Sequence, residues 1–143
     1  MISFDLWTLP NAHAIIGVVG YFVNKDGRRC YVILGLRKII GEHTGENMAG
    51  VLIDLFRDYR IVGNIGYFIA DNAELNDMCI DAILYALYPN MSAKLRKGRR
   101  LYCFGHITNL CAQAFIIGND IEGVCKELAR AYRKIDFKKV KEL

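Results

Sequence analysis

The stretch Ile2-Ser3-Phe4-Asp5-Leu6-Trp7-Thr8 is an apolar strand that carries one carboxylate, and a second stretch repeats this arrangement. The apolar run Ile65 to Ala70 leads directly into Asp71 and Asn72. A carboxylate in or at the end of a core strand is costly unless it is paired, hydrogen-bonded or bound to a metal. If the two strands lie side by side, Asp5 and Asp71 could share a divalent cation. Alternatively, Asp71 and Asn72 form an Asx turn or cap the next helix.

The composition is that of a folded domain in a reducing compartment. The 143 residues are 53% hydrophobic with only two prolines, so we expect one domain spanning residues 1–143 with a core of its own. The five cysteines are odd in number and lie mostly in apolar segments, which favours free thiols and an intracellular protein, nuclear or cytoplasmic. The longest apolar run, Ala14 to Val23, is half the length of a membrane span, so we expect no membrane contact.

The net charge of +4 is unevenly distributed along the chain. The segment Lys94 to Arg100 is interpreted as a basic loop, and the tail from Lys126 onward is also basic. Such clusters can contact phosphates, which makes DNA a possible partner and Arg96, Arg99 and Arg100 candidate DNA-binding residues. An ordinary solvated loop and helix face have the same composition, so both interpretations stay open.

The periodicity of apolar residues predicts three strands followed by alternating helices and strands. The Asp26-Gly27 pair between two apolar runs is typical of a hairpin turn. We predict an α/β fold with a mixed five-stranded sheet, an antiparallel three-stranded meander followed by β-α alternation, flanked by helices. This order resembles the ribonuclease H-like fold, in which the first strand is central and the fourth lies beside it. The predicted segments are strands over 2–7, 15–23 and 30–36, a helix over 48–59 capped by Thr44, a strand over 65–70, a helix over 75–87, a strand over 101–104, and helices over 107–118 and 121–134.

Four motifs, in order, resemble the catalytic domain of hAT-superfamily transposases, particularly the versions abundant in fungal genomes. The resemblance runs from about Ser3 to Gly118. It implies a ribonuclease H-like fold and DDE-type chemistry, in which Mg²⁺ or Mn²⁺ held by two aspartates and a later glutamate drives DNA strand cleavage and transfer. The motifs are Asp5-Leu6-Trp7-Thr8, His43-Thr44-Gly45-Glu46-Asn47, Asp71-Asn72-Ala73 with Asn76-Asp77, and Cys103-Phe104-Gly105-His106-Ile107-Thr108-Asn109-Leu110.

The resemblance assigns roles to individual residues. Asp5 and Asp71 match the two catalytic, metal-binding aspartates of the family. Cys103 and His106 match its Cys-x-x-His element, which is thought to help handle DNA near the cleavage point. From the residues alone, we expect Cys103 to be a core thiol at the end of a strand and His106 to cap the following helix.

The chain also departs from the family pattern, and these departures predict loss of transposition. We expect a truncated core that lacks the family's zinc-binding BED-type module, its helical insertion and the segment with its third acid. Glu122 and Glu127 are weak candidates for a substitute acid, because neither stands in a family context. Two carboxylates bind Mg²⁺ weakly, and losing one group of a coupled site usually costs orders of magnitude in rate.

Three interpretations of function remain open. The favoured one is a domesticated transposase relic, kept as an interaction module for protein or nucleic acid and not active as an enzyme. The second is a Mg²⁺-dependent nuclease that uses Asp5 and Asp71 with a substitute or externally supplied third acid. The third is a fragment of a longer transposase. A protein partner or self-association is expected at the surface that the missing insertion would have covered.

Overall fold

The computed structural model of the chain describes residues 1–8, 14–117, 122–123 and 125–126. These residues fall into two units, Met1–Leu101 and Tyr102–Leu143, and each is described by itself. That residues 1–143 form one domain therefore stays a prediction. The elements are β1 (Ile2–Thr8), β2 (Ala14–Val23), β3 (Arg29–Ile39), α1 (Gly45–Asp58), a 3-10 turn (Val62–Asn64), β4 (Phe68–Ala70), α2 (Glu74–Leu87), α3 (Ala93–Gly98), β5 (Arg100–Tyr102) and α4 (Phe104–Ile117).

The five strands form one mixed sheet in the order β3-β2-β1-β4-β5. Strand β2 runs antiparallel to both β1 and β3, whereas β1 and β4 are parallel. The predicted α/β fold is confirmed, with the first strand at the centre and the fourth beside it. A parallel pair needs a long crossover connection, and β2, β3 and α1 all lie within the connection from β1 to β4.

A polar turn closes the predicted hairpin between β2 and β3. The carboxamide oxygen of Asn24 accepts hydrogen bonds from the backbone N–H groups of Asp26 at 3.0 Å and Arg28 at 2.9 Å. Gly27 has a φ of +74°, a conformation that glycine adopts without a steric penalty. The turn fixes the register of the two longest strands, in which Tyr21 pairs with Tyr31.

The core lies between one face of the sheet and the helices α1 and α2. On β1, Ile2 and Phe4 are buried while the residues between and beyond them are more exposed, as the two-residue period of a strand requires. Helix α1 begins against α2 at Gly45, where a β-carbon would lie 2.7 Å from the β-carbon of Met78 and 2.9 Å from the backbone nitrogen of Cys79. Only glycine permits this close approach of the two helices.

Three local predictions are wrong. The strand predicted over 101–104 ends at Tyr102, and Phe104 already begins α4. The segment predicted as a basic loop, 94–100, forms α3 and the start of β5, because Ser92 caps the helix by accepting a hydrogen bond from the Leu95 N–H at 3.4 Å. The strand predicted over 65–70 begins only at Phe68, because the chain first makes the 3-10 turn. Most of the helix predicted over 121–134 lies outside the described residues, and the four that are described there are helical. No helix among the described residues is long and apolar enough to cross a membrane.

Candidate functional site at the carboxyl ends of β1 and β4

The register between β1 and β4 determines how the two predicted catalytic aspartates are arranged. Ser3 pairs with Ile69. Asp5 lies two residues beyond Ser3, and Asp71 lies two residues beyond Ile69 in the turn after β4, so the two aspartates occupy corresponding positions past the paired residues. Neighbouring strands are about 4.8 Å apart. Asp71 follows the carboxyl end of β4, whereas Asp5 lies in the middle of β1, just beyond the residues that pair with β4. In open α/β sheets, ligands bind outside the carboxyl ends of the strands.

The carboxylate of Asp71 is engaged in the turn that follows β4. Its Oδ1 atom accepts hydrogen bonds from the backbone N–H of Ala73 at 3.0 Å and from Nδ2 of Asn76 at 2.6 Å. Asn76 is buried in the first turn of α2. Asp71 thus makes the Asx turn that the sequence offers as an alternative to metal binding, and it joins the end of β4 to α2.

A buried arginine holds the same turn from the other side. Arg100 is only 6% exposed, and its Nε donates to Oδ1 of Asp77 at 2.9 Å. Its Nη1 donates to the carbonyl oxygens of Ala70, at 3.0 Å, and Leu101, and its Nη2 donates to that of Asp71. The predicted contact of Arg100 with DNA has not been tested, and the structure places its guanidinium inside the fold.

The other two arginines predicted to bind DNA also have partners within the first unit. Arg96 donates from Nε to the carboxylate of Asp81 at 2.7 Å. Arg99 donates to the carbonyl oxygen of Gly66 at 2.9 Å and lies 5.1 Å from the ring centroid of Tyr67. A phosphate would have to compete with these contacts, so DNA binding by these arginines stays a prediction.

Asp5 lies on the sheet face opposite α1 and α2. Its carboxylate is exposed and accepts a hydrogen bond from the N–H of its neighbour Leu6 at 3.0 Å. The ring of Trp7, which is 47% exposed, lies over Gly17, where a β-carbon would be 2.7 Å from the ring. Between them lies a shallow pocket of about 190 Å³, whose lining side chains come from Ser3, Asp5, Trp7, Val19, Ile33 and Leu36.

The described residues do not by themselves complete a two-metal centre. Within the described part of the chain, no group of three or more His, Cys, Asp or Glu side chains could hold a metal ion. Asp5 and Asp71 supply two carboxylates, and one oxygen of Asp71 already accepts two hydrogen bonds. Of the candidate third acids, Glu122 forms an ion pair with Lys126 at 2.8 Å, and Glu127 lies outside the described residues. Mg²⁺ completes its octahedron with waters and substrate phosphates and needs only one or two protein carboxylates, so binding of one such ion by Asp5 and Asp71 stays a prediction.

The Cys-x-x-His element belongs to the second unit and starts its helix. Cys103 directly precedes α4, and its carbonyl oxygen accepts a hydrogen bond from the Ile107 N–H at 3.2 Å. The Cys103 side chain is partly exposed, so the prediction of a core thiol is only partly met. His106 is partly buried in the first turn of α4. A role for this pair in handling DNA stays a prediction.

The His43-to-Asn47 motif has a structural explanation that the sequence shows only in part. Thr44 caps α1, as predicted, by accepting a hydrogen bond from the Asn47 N–H at 3.1 Å. The Asn47 side chain then donates to the carbonyl oxygens of Ile40 and Glu42, each at 2.8 Å. These bonds hold the loop between β3 and α1. The periodicity of apolar residues gives no signal for this role of Asn47.

Comparison with known proteins places this geometry in a family. A model of the ZBED1 RNase-like domain matches residues 3–98. The chain is also 27% identical over 113 residues to a protein of Talaromyces stipitatus named "Putative transcriptional regulator tpeD". That alignment covers 76% of the chain and 13% of the fungal protein, so the chain spans a small part of this relative. No solved structure matches the chain. Because the model matches more than half of the 143 residues, the chain belongs to the ZBED1 RNase-like domain family, a domain of hAT-transposase descent.

Proposed function

We propose that the chain is a protein-interaction module built on an RNase-like domain that does not cleave nucleic acid by itself. The observation that carries this proposal is the use of Asp71 within the fold. Its carboxylate binds Asn76 and the N–H of Ala73, so it serves to start α2. The buried guanidinium of Arg100 donates a hydrogen bond to the carbonyl oxygen of Ala70, directly before the same turn. A catalytic carboxylate that has been given such a structural role can be retained after the reaction is lost.

The surroundings of the arginines support a protein partner over a nucleic acid. Nucleic-acid binding depends on cationic side chains that can reach phosphates. Arg96 is paired with Asp81, Arg99 lies over Tyr67, and Arg100 is buried. Each therefore contributes less to a phosphate-binding surface than the sequence suggests.

An exposed apolar surface supports the same choice. The strand register and the alternation of side chains place five large side chains on the sheet face that carries Asp5, and we call them the open face: Trp7, Tyr21, Tyr31, Ile33 and Leu36. Tyr31 is 74% exposed and Ile33 is 69% exposed. The rings of Tyr21 and Tyr31 lie 6.4 Å apart. Contiguous exposed apolar patches mark interaction sites, and aromatic residues are enriched where proteins bind one another.

The fungal relative supports the setting in which such a module works. That protein is named as a transcriptional regulator. Its name supports a nuclear location for the chain, and its source supports the fungal type of hAT descent. We infer that the module brings a protein into a regulatory assembly.

A selection of displayed peptides tests the proposed function. The purified chain is immobilised, a random-peptide library is selected on it, and the binding of each enriched peptide is measured in solution. We expect saturable binding that Tyr31→Thr weakens at least tenfold, because this substitution removes an open-face ring without changing strand propensity. The matched control is Leu95→Gln, which removes an exposed apolar side chain from α3. Equal weakening by both variants, or no saturable peptide, would count against the proposal.

Metal-dependent DNA cleavage is the second candidate, and the β1–β4 register favours it. Asp5 and Asp71 occupy corresponding positions two residues past a paired couple of β1 and β4, and a substitute or a partner would have to supply the third acid. Nicking of a supercoiled plasmid with Mg²⁺ or Mn²⁺ tests it, with Asp5→Asn as the control. We expect no metal-dependent nicking. Nicking that Asp5→Asn abolishes would establish the second candidate and overturn the first.

A further inference from the structure

Strand β3 forms one end of the five-stranded sheet, and no described strand lies beyond it. At eleven residues, it is also the longest strand described. An edge strand presents N–H and C=O groups that can pair with another extended chain. We infer that β3 is the docking edge of this domain, and that it binds an extended protein segment with an apolar centre and acidic ends as a sixth strand. This inference rests on the proposed function and names the chemistry of its partner.

The regular part of this edge is short and well defined. The pairing with β2 is continuous from Val23–Arg29 to Val19–Ile33 and shifts at the next residue, so Leu34 is an extra residue in a bulge. Gly35, just after it, has a φ of +145°. A bulge interrupts the pairing and twists an edge away from further strands. We therefore place docking on residues 29–33, which we call the docking edge.

Apolar side chains flank the docking edge on both faces of the sheet. Tyr31 and Ile33 belong to the open face. Val32 points to the other face, where it and Leu34 line an apolar pocket of about 430 Å³ that Tyr59 also lines. An added strand would thus place alternate side chains against apolar surface on either side. In strand addition, the main-chain hydrogen bonds provide affinity and such pockets provide specificity.

The positive charges near β3 favour a partner segment with acidic ends. Arg28 and Arg29 are exposed at the hairpin end of the strand, and Arg37 lies near the other end. Arg37 lies 3.6 Å from the carboxylate of Asp58, an exposed pair that contributes little. Acidic residues at both ends of a docked segment would lie close to these guanidinium groups. Cross-strand pairs of opposite charge stabilise a sheet.

The same charges disfavour a second copy of this chain as the occupant. Strand β3 carries Arg29, Arg37 and Lys38 but no acidic residue. A second copy of the strand therefore offers no carboxylate to these basic groups. Pairing two copies also brings their basic strand ends close together, and like charges near each other across strands are destabilising. An acidic, apolar segment of another protein avoids this penalty.

Three synthetic peptides test the inference by fluorescence anisotropy. The probe alternates Val and Thr at its centre and carries Asp-Glu pairs at both ends. The second peptide replaces those ends with Lys-Lys, and the third keeps the acidic ends but has Pro at its centre. We expect the acidic peptide to bind the full chain saturably and the lysine-ended peptide to bind at least tenfold more weakly. The proline peptide should not bind, because proline lacks the N–H that a central strand position needs.

A charge exchange makes the test specific. Arg29→Glu is expected to weaken binding of the acidic peptide at least tenfold and to strengthen binding of the lysine-ended peptide. Lys97→Glu changes an exposed charge on α3 and is the matched control, expected to change neither peptide's affinity more than twofold. Unchanged melting temperatures of the variants establish that they are folded. Backbone amide shifts on titration are expected to map to residues 29–33.

Several outcomes would overturn the inference. The acidic peptide could fail to bind, or its affinity could be the same for the wild type and Arg29→Glu. The amide shifts could be confined to elements other than β3. Light scattering could also show a stable dimer whose affinity Arg29→Glu changes. The proposed function is judged separately by the displayed peptides. If those still bind through Tyr31 while the acidic probe fails, the docking edge is wrong and the interaction module stands. Failure of both sets of peptides rejects both proposals.

Discussion

The Nδ2 atom of Asn76 lies 2.6 Å from Oδ1 of Asp71, so the carboxylate expected to bind metal also connects β4 to α2. Such a bond to a charged acceptor is among the stronger hydrogen bonds in proteins. It gives Asp71 a structural role that does not depend on catalysis. Asp5, in contrast, is exposed and bonds only to the N–H of its own neighbour among the contacts described for it. The two family aspartates should therefore respond differently to substitution.

Replacing the two aspartates separates these roles. We expect Asp71→Ala to lower the free energy of unfolding by about 1 to 3 kcal/mol, because the buried amide of Asn76 loses its acceptor. Asp5→Asn is expected to stay within about 0.5 kcal/mol of the wild type, as exposed substitutions usually do. Urea unfolding followed by circular dichroism measures both. Equal effects of the two substitutions would contradict the structural role of Asp71.

The buried arginine gives a larger expected effect. Arg100→Ala removes the guanidinium that faces the carboxylate of Asp77 and three backbone carbonyl groups. Breaking a buried pair in this way costs about 3 to 5 kcal/mol, so the variant should be largely unfolded or melt far below the wild type. The control is Arg57→Ala, which removes an ion pair with Asp54 that is exposed on both sides, with an expected cost below about 1 kcal/mol. A fully stable Arg100→Ala chain with weaker DNA binding would instead support the DNA-contact prediction.

Two glycines of α1 offer a matched test of helix packing. Gly45→Ala would force a β-carbon to within 2.7 Å of Met78, so we expect a loss of about 1 to 3 kcal/mol. Gly50 lies in the same helix with nothing within 4 Å of its β-carbon position. Gly50→Ala should therefore stabilise the chain by about 0.5 to 1 kcal/mol. Thermal melting of both variants gives the sign of each change in stability. Destabilisation by Gly50→Ala, or no effect of Gly45→Ala, would contradict this account of the packing.

Stability should fall at alkaline pH because of one buried thiol. Burial raises the pKa of Cys79 from its ordinary value of 9.0 to about 12. Between these values the unfolded chain has released the proton that the folded chain still holds. The contribution of the protonated Cys79 thiol to the free energy of unfolding is therefore complete below pH 9.0. It is lost as the pH rises toward about 12, by at most about 1.4 kcal/mol per pH unit.

The difference between variants isolates this effect from the titration of other groups. Urea unfolding across this range is expected to show a shallower decline for Cys79→Ala than for the wild type. Cys125→Ala, which removes an exposed thiol, should keep the wild-type slope. If the free energy of unfolding of Cys79→Ala declined with pH as steeply as that of the wild type, the Cys79 thiol would not be the cause of the alkaline loss of stability.

The sheet could be predicted from the sequence because its signals are local. The apolar period of β1, the Asp26-Gly27 turn and the apolar run before Asp71 each act over a few residues. The Asx turn at Asp71 is equally local and was one of the alternatives, although the bond to Asn76 extends it into α2.

The features that the sequence did not reveal depend on residues far apart along the chain. Arg100 is one of a run of basic residues, and only the fold brings it to Asp77, 23 positions earlier. The same run of charge suggested a loop and concealed α3, whose cap is the single residue Ser92. The position of the Trp7 ring depends on Gly17 of the neighbouring strand, where any larger residue would collide with it, and the sequence of β1 does not show this contact.

The most direct measurement of the central claim, that this domain binds protein through its open face, is the binding isotherm of the display-selected peptides. It compares the wild-type chain with Tyr31→Thr and Leu95→Gln under the same conditions. The expected result is saturable binding that weakens at least tenfold in Tyr31→Thr and is unchanged in Leu95→Gln. An affinity that Tyr31→Thr leaves unchanged, or the absence of saturable binding, would contradict the claim.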